Sequence, residues 1–392
     1  MSTCLGAASW AGLRAEPMKV ALVHDYLIHQ GGSENCVEAL LEMFPQAPVY
    51  TCYFSPETMP ERWRRRDIRT SFLQRLPLGK KNYQDRLQYF LPLMPLAYES
   101  LDLSGYDLVL SSSHAFAKGV LTRVNTLHLS YIHTPTRYLW DLNQEYTRDY
   151  RGGALKRALL PVALHYLRLW DFQAAQRPYH LMANSRYVAR RVATYYRRPA
   201  TVINPPVDVD YFTVIPNPRE DYYLITSRWV PYKRADLAIQ AFNQLGLRLL
   251  VVGDGPELPK LQAQAGRTIE FLPYQPREAL RDLIANCRAL VFPSEEDFGI
   301  LPVEAMACGR PVIAFGRGGA LETVLPAVTG LHFPEQTVAA LVQAIRVGEA
   351  QAWDARRIRQ HSEQFSRQRY QERIKDLIDT QRERFMTVPL PL

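Results

Sequence analysis

The chain reads as an α/β protein built from two Rossmann-like, doubly wound domains. Three observations predict this. In the second half, short apolar runs at Tyr222–Ser227, Arg248–Val252, Ile269–Leu272, Ala289–Pro293 and Pro311–Phe315 alternate with helical patterns at Ala235–Leu245, Pro256–Ala265, Pro276–Asn286 and Pro302–Cys308. Strands alternating with helices of this length specify parallel pairing, because parallel strands need a crossover. The first half repeats the alternation less regularly. Between the halves, Pro205-Pro206 and Pro216-Asn217-Pro218 bracket a polar stretch that suits a linker.

Taken in order, residues 1–17 have no charge before Arg14 and neither a helical period nor a long apolar core, so they read as a disordered extension. Met18 opens the first strand, 19–24. Further strands are expected at 48–53, 107–112, 126–132, 180–184 and 200–204. The first domain is assigned to 18–208 and the second to 209–364. Three of the second-half helices are entered at proline (256, 276, 302), which the first helical turn tolerates. Residues 365–385 place Ile374, Leu377 and Ile378 on one face among polar residues, an amphipathic last helix. Residues 386–392 form a tail.

The 392 residues carry 47% apolar and 22% charged side chains, sufficient for two packed cores. No run of 18 apolar residues exists, which argues against a membrane-spanning helix. Five cysteines without a C-x-x-C pair give neither a disulfide framework nor a zinc site and fit a reduced cytosol. The net charge of +8 is lopsided: residues 1–210 hold 25 Lys+Arg and 18 Asp+Glu, a net of +7. Residues 151–200 hold ten basic residues and one acidic, Asp171. The excess suggests an anionic partner for the first half, nucleic acid or an anionic membrane surface. Arg62–Arg66, Phe72–Tyr98 and Leu155–Arg177 mix basic residues with Trp, Phe and Leu. That composition suits interfacial helices, and equally suits ordinary amphipathic helices packed on a core.

The densest chemistry lies in Glu295–Val324, EEDFGILPVEAMACGRPVIAFGRGGALETV. Glu296 and Glu304 flank a Phe-Gly step, and the pattern fits a loop entering a helix N-terminus. Amides there lack intrahelical acceptors and favour anions. Gly299 admits close approach to the backbone. Glu304, about one turn into the helix, is placed to accept bonds from vicinal hydroxyls such as those of a ribose. After the first strand of the second half come Arg228 and Lys233, where α/β sheets bind ligands. A guanidinium fork and an ammonium match a diphosphate leaving group. Gly31-Gly32-Ser33-Glu34 sits between the first strand and a helix, and bare amides at Gly31 and Gly32 suit a phosphate or an acceptor oxygen. His133 follows a strand in YIHTPTRYLWD; a lone histidine there is more often a structural hydrogen-bonder. His24, Asp25 and His114 are weaker candidates. Asp208-Val209-Asp210 spells a metal-binding D-x-D string but lies at the linker, and Gly253-Asp254-Gly255 is only a fragment of a dinucleotide fingerprint.

From Met18 to about Arg384, the sequence resembles the family 4 (group 1) retaining glycosyltransferases of GT-B fold, closest to bacterial mannosyltransferases of polysaccharide and O-antigen assembly. The resemblance is carried by the paired glutamates, the Arg228/Lys233 pair, the Gly-Gly-Ser-Glu loop, the His133 run and N-P-P-V-D-V-D-Y-F at the linker. Ser227 departs from it, where a glycine is common. The resemblance implies that the domains face a cleft and that the last helix crosses back to the first domain. It implies that Glu296 and His133 meet the donor sugar, that Glu304 holds the ribose, and that the amides of Gly299, Ile300 and Leu301 face sugar or diphosphate. The catalytic set is then His133, Glu296, Arg228 and Lys233. The donor set is Glu304, Gly299, Ile300, Leu301, Gly31 and Gly32.

The implied activity moves a hexose, mannose from GDP-mannose, to a lipid-linked or glycan acceptor in cell-surface polysaccharide synthesis. No metal or other cofactor and no nucleic acid is expected. The expected location is the cytoplasm, with a peripheral position at the inner membrane face. A UDP-sugar-dependent enzyme of the same fold and an inactive nucleotide-sugar-binding subunit are the alternatives. A basic nucleic-acid binder and a sugar phosphorylase or epimerase are further rivals.

Overall fold

The computed structural model describes residues 18–76, 88–141, 143–149, 153–215 and 221–387. Residues 1–17, Lys80, Lys81, Arg86 and Pro216–Pro218, to which the sequence reading assigned roles, lie outside the described residues.

Two all-parallel sheets organise the chain. The first has β1 (Val20–His24), β2 (Val49–Thr51), β3 (Ile68–Thr70), β4 (Leu108–Ser113), β5 (Leu127–Ile132), β6 (His180–Ala183) and β7 (Thr201–Val202) in the order 3-2-1-4-5-6-7. The second has β8 (Tyr223–Thr226), β9 (Leu249–Val252), β10 (Ile269–Leu272), β11 (Leu290–Phe292), β12 (Val312–Phe315) and β13 (Gly330–Phe333) in the order 10-9-8-11-12-13. The central strands are mostly apolar and buried along their length, as strands covered by helices on both faces must be, with His24, His128 and Ser130 as buried polar exceptions. Each sheet reverses its strand order once, between β1 and β4 and between β8 and β11. At such points the loops beyond the carboxyl ends diverge and open a crevice.

The expected strands lie where the apolar runs placed them. The edge strands β3 and β13 were not anticipated, nor were the helices Val338–Glu349 and Ala355–Ser362. Pro276 is the cap residue of the helix Arg277–Asn286, whereas Pro302 lies third in a helix that starts at Ile300.

The two domains are joined twice, at one place. Val207 donates its N–H to Phe365 O at 2.9 Å, so the linker and the return segment lie side by side. Phe365 packs in the second domain's core with Phe298, while Tyr370, Ile374 and Ile378 of the last helix (Arg367–Thr387) are buried in the first. Arg367 pairs with Glu42 at 2.7 Å, and Gln371 donates to the Ala39 carbonyl.

Part of the basic excess of the first half is spent on bonds within the fold. Arg177 pairs with Glu99 at 2.6 Å, and Arg198 donates to the carbonyls of Ala175, Pro178 and Tyr179. Trp63, in the Arg62–Arg66 run, is 1% exposed and donates to Gln30, so it is a core residue and not an interfacial anchor. Arg62 pairs with Glu38, and Arg64 donates to the Pro56 carbonyl. The helix Ala154–Ala174 is different: Leu164 and Leu167 are buried, while Leu159, Val162, Tyr166 and Leu169 form an outward stripe, each more than half exposed. Among the described residues no helix is long and apolar enough to cross a membrane.

Replacing Ile374 by Ala removes a fully buried side chain through which the last helix completes the first domain's core. The expected loss is about 2–5 kcal/mol in denaturant unfolding; a loss under about 0.5 kcal/mol would show that the helix is not part of that core.

Candidate active site

Both reversal points contribute to one cleft. From the second domain, Glu296 sits in the loop after β11. Its Oε1 accepts from Ser294 Oγ at 3.0 Å and from Lys233 Nζ. Lys233 closes the short 3₁₀ turn Pro231–Lys233 beyond β8, and Arg228, on the same loop, is exposed with no partner among the described residues. Two cations and a carboxylate thus gather where strand-end loops bind ligands.

Gly299 follows at φ +85°, left-handed backbone that other residues adopt only with strain, and caps the helix Ile300–Ala307. The first amides of that helix have no intrahelical acceptors. Glu304, one turn in, is half-buried, and its carboxylate has no hydrogen-bond partner among the described residues. Burial pushes it up to about 7, against the charge of Arg277, with Asp208 adding to the rise. A secluded carboxylate left without donors suits a ligand that brings hydroxyls. The glutamate loop rests on Gly318 and Gly319. A Cβ on Gly319 would lie 2.3 Å from Phe298 Cα, and the Gly319 N–H bonds Glu296 O at 2.8 Å. The sequence reading gave these glycines no role, although the repeated Gly after β12 was visible.

The first domain supplies Gly31 and Gly32 at the start of the helix Gly32–Met43, and His133 beyond β5. A Cβ on Gly32 would come within 2.5 Å of Ile300 Cδ1, so the glycine loop and the helix Ile300–Ala307 meet directly. His133 Nε2 lies 2.8 Å from Ser112 Oγ, and its carbonyl accepts from Asn184 Nδ2. Burial, with the nearby His114 and His24, lowers its pKa to about 3, so the ring is neutral at pH 7. Asp25 is not a cleft residue. It is fully buried and accepts four backbone N–H bonds, from His114, Ala115, Phe116 and Ala117. His24 is also fully buried.

Asp297, overlooked in the sequence, bridges the domains. Its oxygens meet Arg137 Nη2 at 2.8 Å and Arg191 Nη1 at 2.9 Å, and its carbonyl accepts from Ser185 Oγ at 2.6 Å. Glu322 reaches from the second domain to the first amides of the helix Arg186–Tyr196, bonding Arg186 N at 2.9 Å and Tyr187 N at 3.0 Å. The D-x-D carboxylates are engaged by arginines: Asp208 by Arg277 at 2.8 Å and Asp210 by Arg359 at 3.4 Å. Among the described residues no cluster of three metal-ligating side chains occurs.

Residues 212–365 match the family model for glycosyl transferases group 1, and residues 30–211 match the model for glycosyltransferase family 4. The chain belongs to the group 1 glycosyltransferases. The D-inositol 3-phosphate glycosyltransferase of Kribbella flavida is 31% identical over 199 residues, covering 42% of this chain and 47% of that protein. The GDP-mannose-dependent alpha-(1-6)-phosphatidylinositol monomannoside mannosyltransferase of Mycolicibacterium smegmatis is 34% identical over 194 residues, 41% of this chain and 50% of that one. The matches thus span about half the length of these relatives. Among solved structures, Anabaena HepE in complex with UDP-glucose superimposes with a TM-score of 0.66 at 18% identity, covering 93% of this chain and 100% of that one. Sucrose-phosphate synthase of Thermosynechococcus elongatus gives 0.68 at 17% identity, covering 93% and 99%. At that identity the likeness is one of fold, and the fold is GT-B.

Two outcomes are expected. A nucleotide whose ribose hydroxyls donate to Glu304 stabilises its anion, so binding at pH 7 releases about half a proton. Calorimetry in buffers of different ionisation enthalpy reads this directly, and Glu304→Gln should abolish it. Replacing Asp297 by Ala leaves Arg137 and Arg191 facing each other without their shared partner. Arg191 keeps Asp141, so the loss falls on Arg137 and on the tie between the domains; X-ray scattering should show a larger radius of gyration than for the parent protein.

Proposed function

We propose that the protein is a retaining glycosyltransferase that moves a hexose from a nucleotide diphosphate sugar to a glycan or lipid-linked acceptor in cell-surface polysaccharide synthesis. The observation that carries this reading is the carboxylate of Glu304, without a partner among the described residues one turn inside the helix Ile300–Ala307, together with the Lys233–Glu296 pair and Arg228 on the strand-end loops. Ribose hydroxyls satisfy Glu304. Diphosphate draws Lys233 from Glu296 and meets Arg228, together with the amides of Gly299, Ile300 and Leu301 and those of Gly31 and Gly32. Glu296, released, accepts from sugar hydroxyls, with His133 on the opposite wall.

In the reaction, the bond from the sugar C1 to the β-phosphate oxygen breaks. The acceptor oxygen bonds C1 on the same face, and its proton passes to the leaving phosphate. Charge builds on that phosphate as the bond lengthens, and fixed cations and amides stabilise it most at that moment. Because Arg228 and Lys233 supply this charge while the D-x-D string lies at the linker, with Asp208 paired to Arg277, the mechanism uses no metal, and transfer persists in excess EDTA.

The donor is GDP-mannose, supported by resemblance and by the name of the M. smegmatis relative. The UDP-glucose bound by HepE supports a UDP-sugar as the second reading. The acceptor lies at the anionic inner face of the cell membrane, against the stripe Leu159, Val162, Tyr166 and Leu169, which has the helical spacing of an interfacial element.

Incubation with radiolabelled GDP-mannose or UDP-sugars, with and without membranes, tests the assignment. Label is expected to move from GDP-mannose into membrane lipid; no transfer from any sugar nucleotide would overturn it. Lys233→Ala and Glu304→Ala should each lower kcat/KM about tenfold or more, since a charge-assisted hydrogen bond contributes about 1.5–3 kcal/mol. Near-normal rates in both would remove the site. Val162→Glu with Leu169→Glu should stop flotation with anionic vesicles while nucleotide binding stays intact; unchanged flotation would rule out this face.

A further inference from the structure

A line of buried polar side chains runs from the glycine loop to the cleft. Glu34 Oε1 lies 3.2 Å from His24 Nε2. His24 Nδ1 lies 3.2 Å from the Ser112 carbonyl oxygen and 3.1 Å from Ser112 Oγ. Ser112 Oγ lies 2.8 Å from His133 Nε2. His24, Glu34 and Ser112 are all at most 4% exposed. His133 is half-buried, and its Nδ1 has no hydrogen-bond partner among the described residues.

The donors in this line can be assigned from its ends. A carbonyl oxygen and a carboxylate only accept, so a His24 that donates to both carries hydrogen on both nitrogens and is an imidazolium. Ser112 has one hydroxyl hydrogen. With His24 Nδ1–H on one side, that hydrogen points to the remaining acceptor, His133 Nε2. The single proton of a neutral His133 then sits on Nδ1, the nitrogen left for the cleft.

We propose that Glu34, His24 and Ser112 are positioning residues that fix His133 in the tautomer protonated on Nδ1, so that His133 offers the donor sugar an N–H rather than a lone pair. The inference rests on the placement of His133 at the donor sugar. Its electrostatics agree. Burial disfavours charge on His24, but the bond and charge of Glu34, the charge of Asp25 and the Ser112 carbonyl outweigh it and raise the pKa above the usual histidine value. Glu34 is lowered to about 2 by His24 in spite of its burial. The other titratable group facing the pair is His114, whose ring centroid is 6.2 Å from that of His24 and whose Nδ1 is 3.1 Å from Asp25 Oδ2. Burial lowers His114 from the usual histidine value, against the charge of Asp25. When His24 does lose its Nδ1 proton, above the ordinary histidine range, the Ser112 hydroxyl turns to that bare nitrogen. His133 must then take its proton on Nε2, leaving a lone pair in the cleft. Transfer therefore falls on the alkaline side as His24 titrates.

The full-length protein labelled with ¹⁵N-histidine tests this without any substrate. At pH 7 the spectra should show His24 doubly protonated and His133 as the Nδ1–H tautomer. Ser112→Ala and Glu34→Gln should move His133 toward Nε2–H, whereas Ser112→Thr, which keeps the hydroxyl, should not. In assays, Ser112→Ala should lower kcat about tenfold with KM little changed, and Glu34→Gln should shift the alkaline limb of the kcat profile to lower pH. Wild-type His133 protonated on Nε2, or a tautomer unmoved in both Ser112→Ala and Glu34→Gln, overturns the relay. A relay that behaves as stated alongside normal transfer by His133→Ala overturns instead the placement of His133 at the sugar.

Discussion

Asp297 is the residue on which the arrangement of the cleft turns. It lies between Glu296 and Phe298, so the loop that presents Glu296 is the loop that ties the second domain to Arg137 and Arg191 of the first. Burial disfavours the charge on Arg137, but Asp297 outweighs it and raises the pKa of the guanidinium. Separating Asp297 from Arg137 is costly, because both would lose an opposite charge at the interface, whereas Arg191 keeps Asp141. The carboxylate of Glu322 on the amides of the helix Arg186–Tyr196 adds a second tie with the same sense, an anion against a helix N-terminus. The position of Glu296 and the closure of the domains are therefore one structural variable.

The first domain meets the same difficulty, charge away from water, by saturating each buried carboxylate. Asp25 receives four backbone N–H groups and is held below the usual carboxylate range, with burial opposing and His114, His24 and those amides prevailing. Asp171 accepts from Lys118 Nζ at 2.6 Å, Thr136 Oγ1 at 2.8 Å and Trp140 Nε1 at 2.7 Å. The Asp171 bonds fix the segment after His133 against the helix Ala154–Ala174, and the Asp25 bonds fix the turn beyond β4. Against these saturated groups, Glu304 of the helix Ile300–Ala307 stands out as a half-buried carboxylate with nothing to accept from among the described residues. That contrast supports the proposed role of Glu304, and a pattern of paired glutamates in sequence does not distinguish the two conditions.

The sequence alone determined the two parallel sheets. Periodicity and apolar runs are local properties, and a strand buried on both faces has little choice of composition. Thus β1, β8, β9 and β12 were legible, and so was the Glu295–Gly309 loop and helix, whose residues lie within a few positions of one another. The edge strands β3 and β13 were not legible, because Ile68–Thr70 and Gly330–Phe333 are short and only partly buried, and pairing with a neighbour makes them strands. Tertiary structure alone decided how the charges are used. Arg177, Arg191 and Arg198 read as a basic surface, yet each bonds an internal partner brought to it by the fold, and Trp63 turned inward as its neighbours stayed out. Asp297 to Arg137, and Glu34 through His24 to His133, are contacts between residues distant in the chain. Their strength depends on distance, burial and which atom faces which, and none of those quantities exists until the sheets have brought their carboxyl ends together.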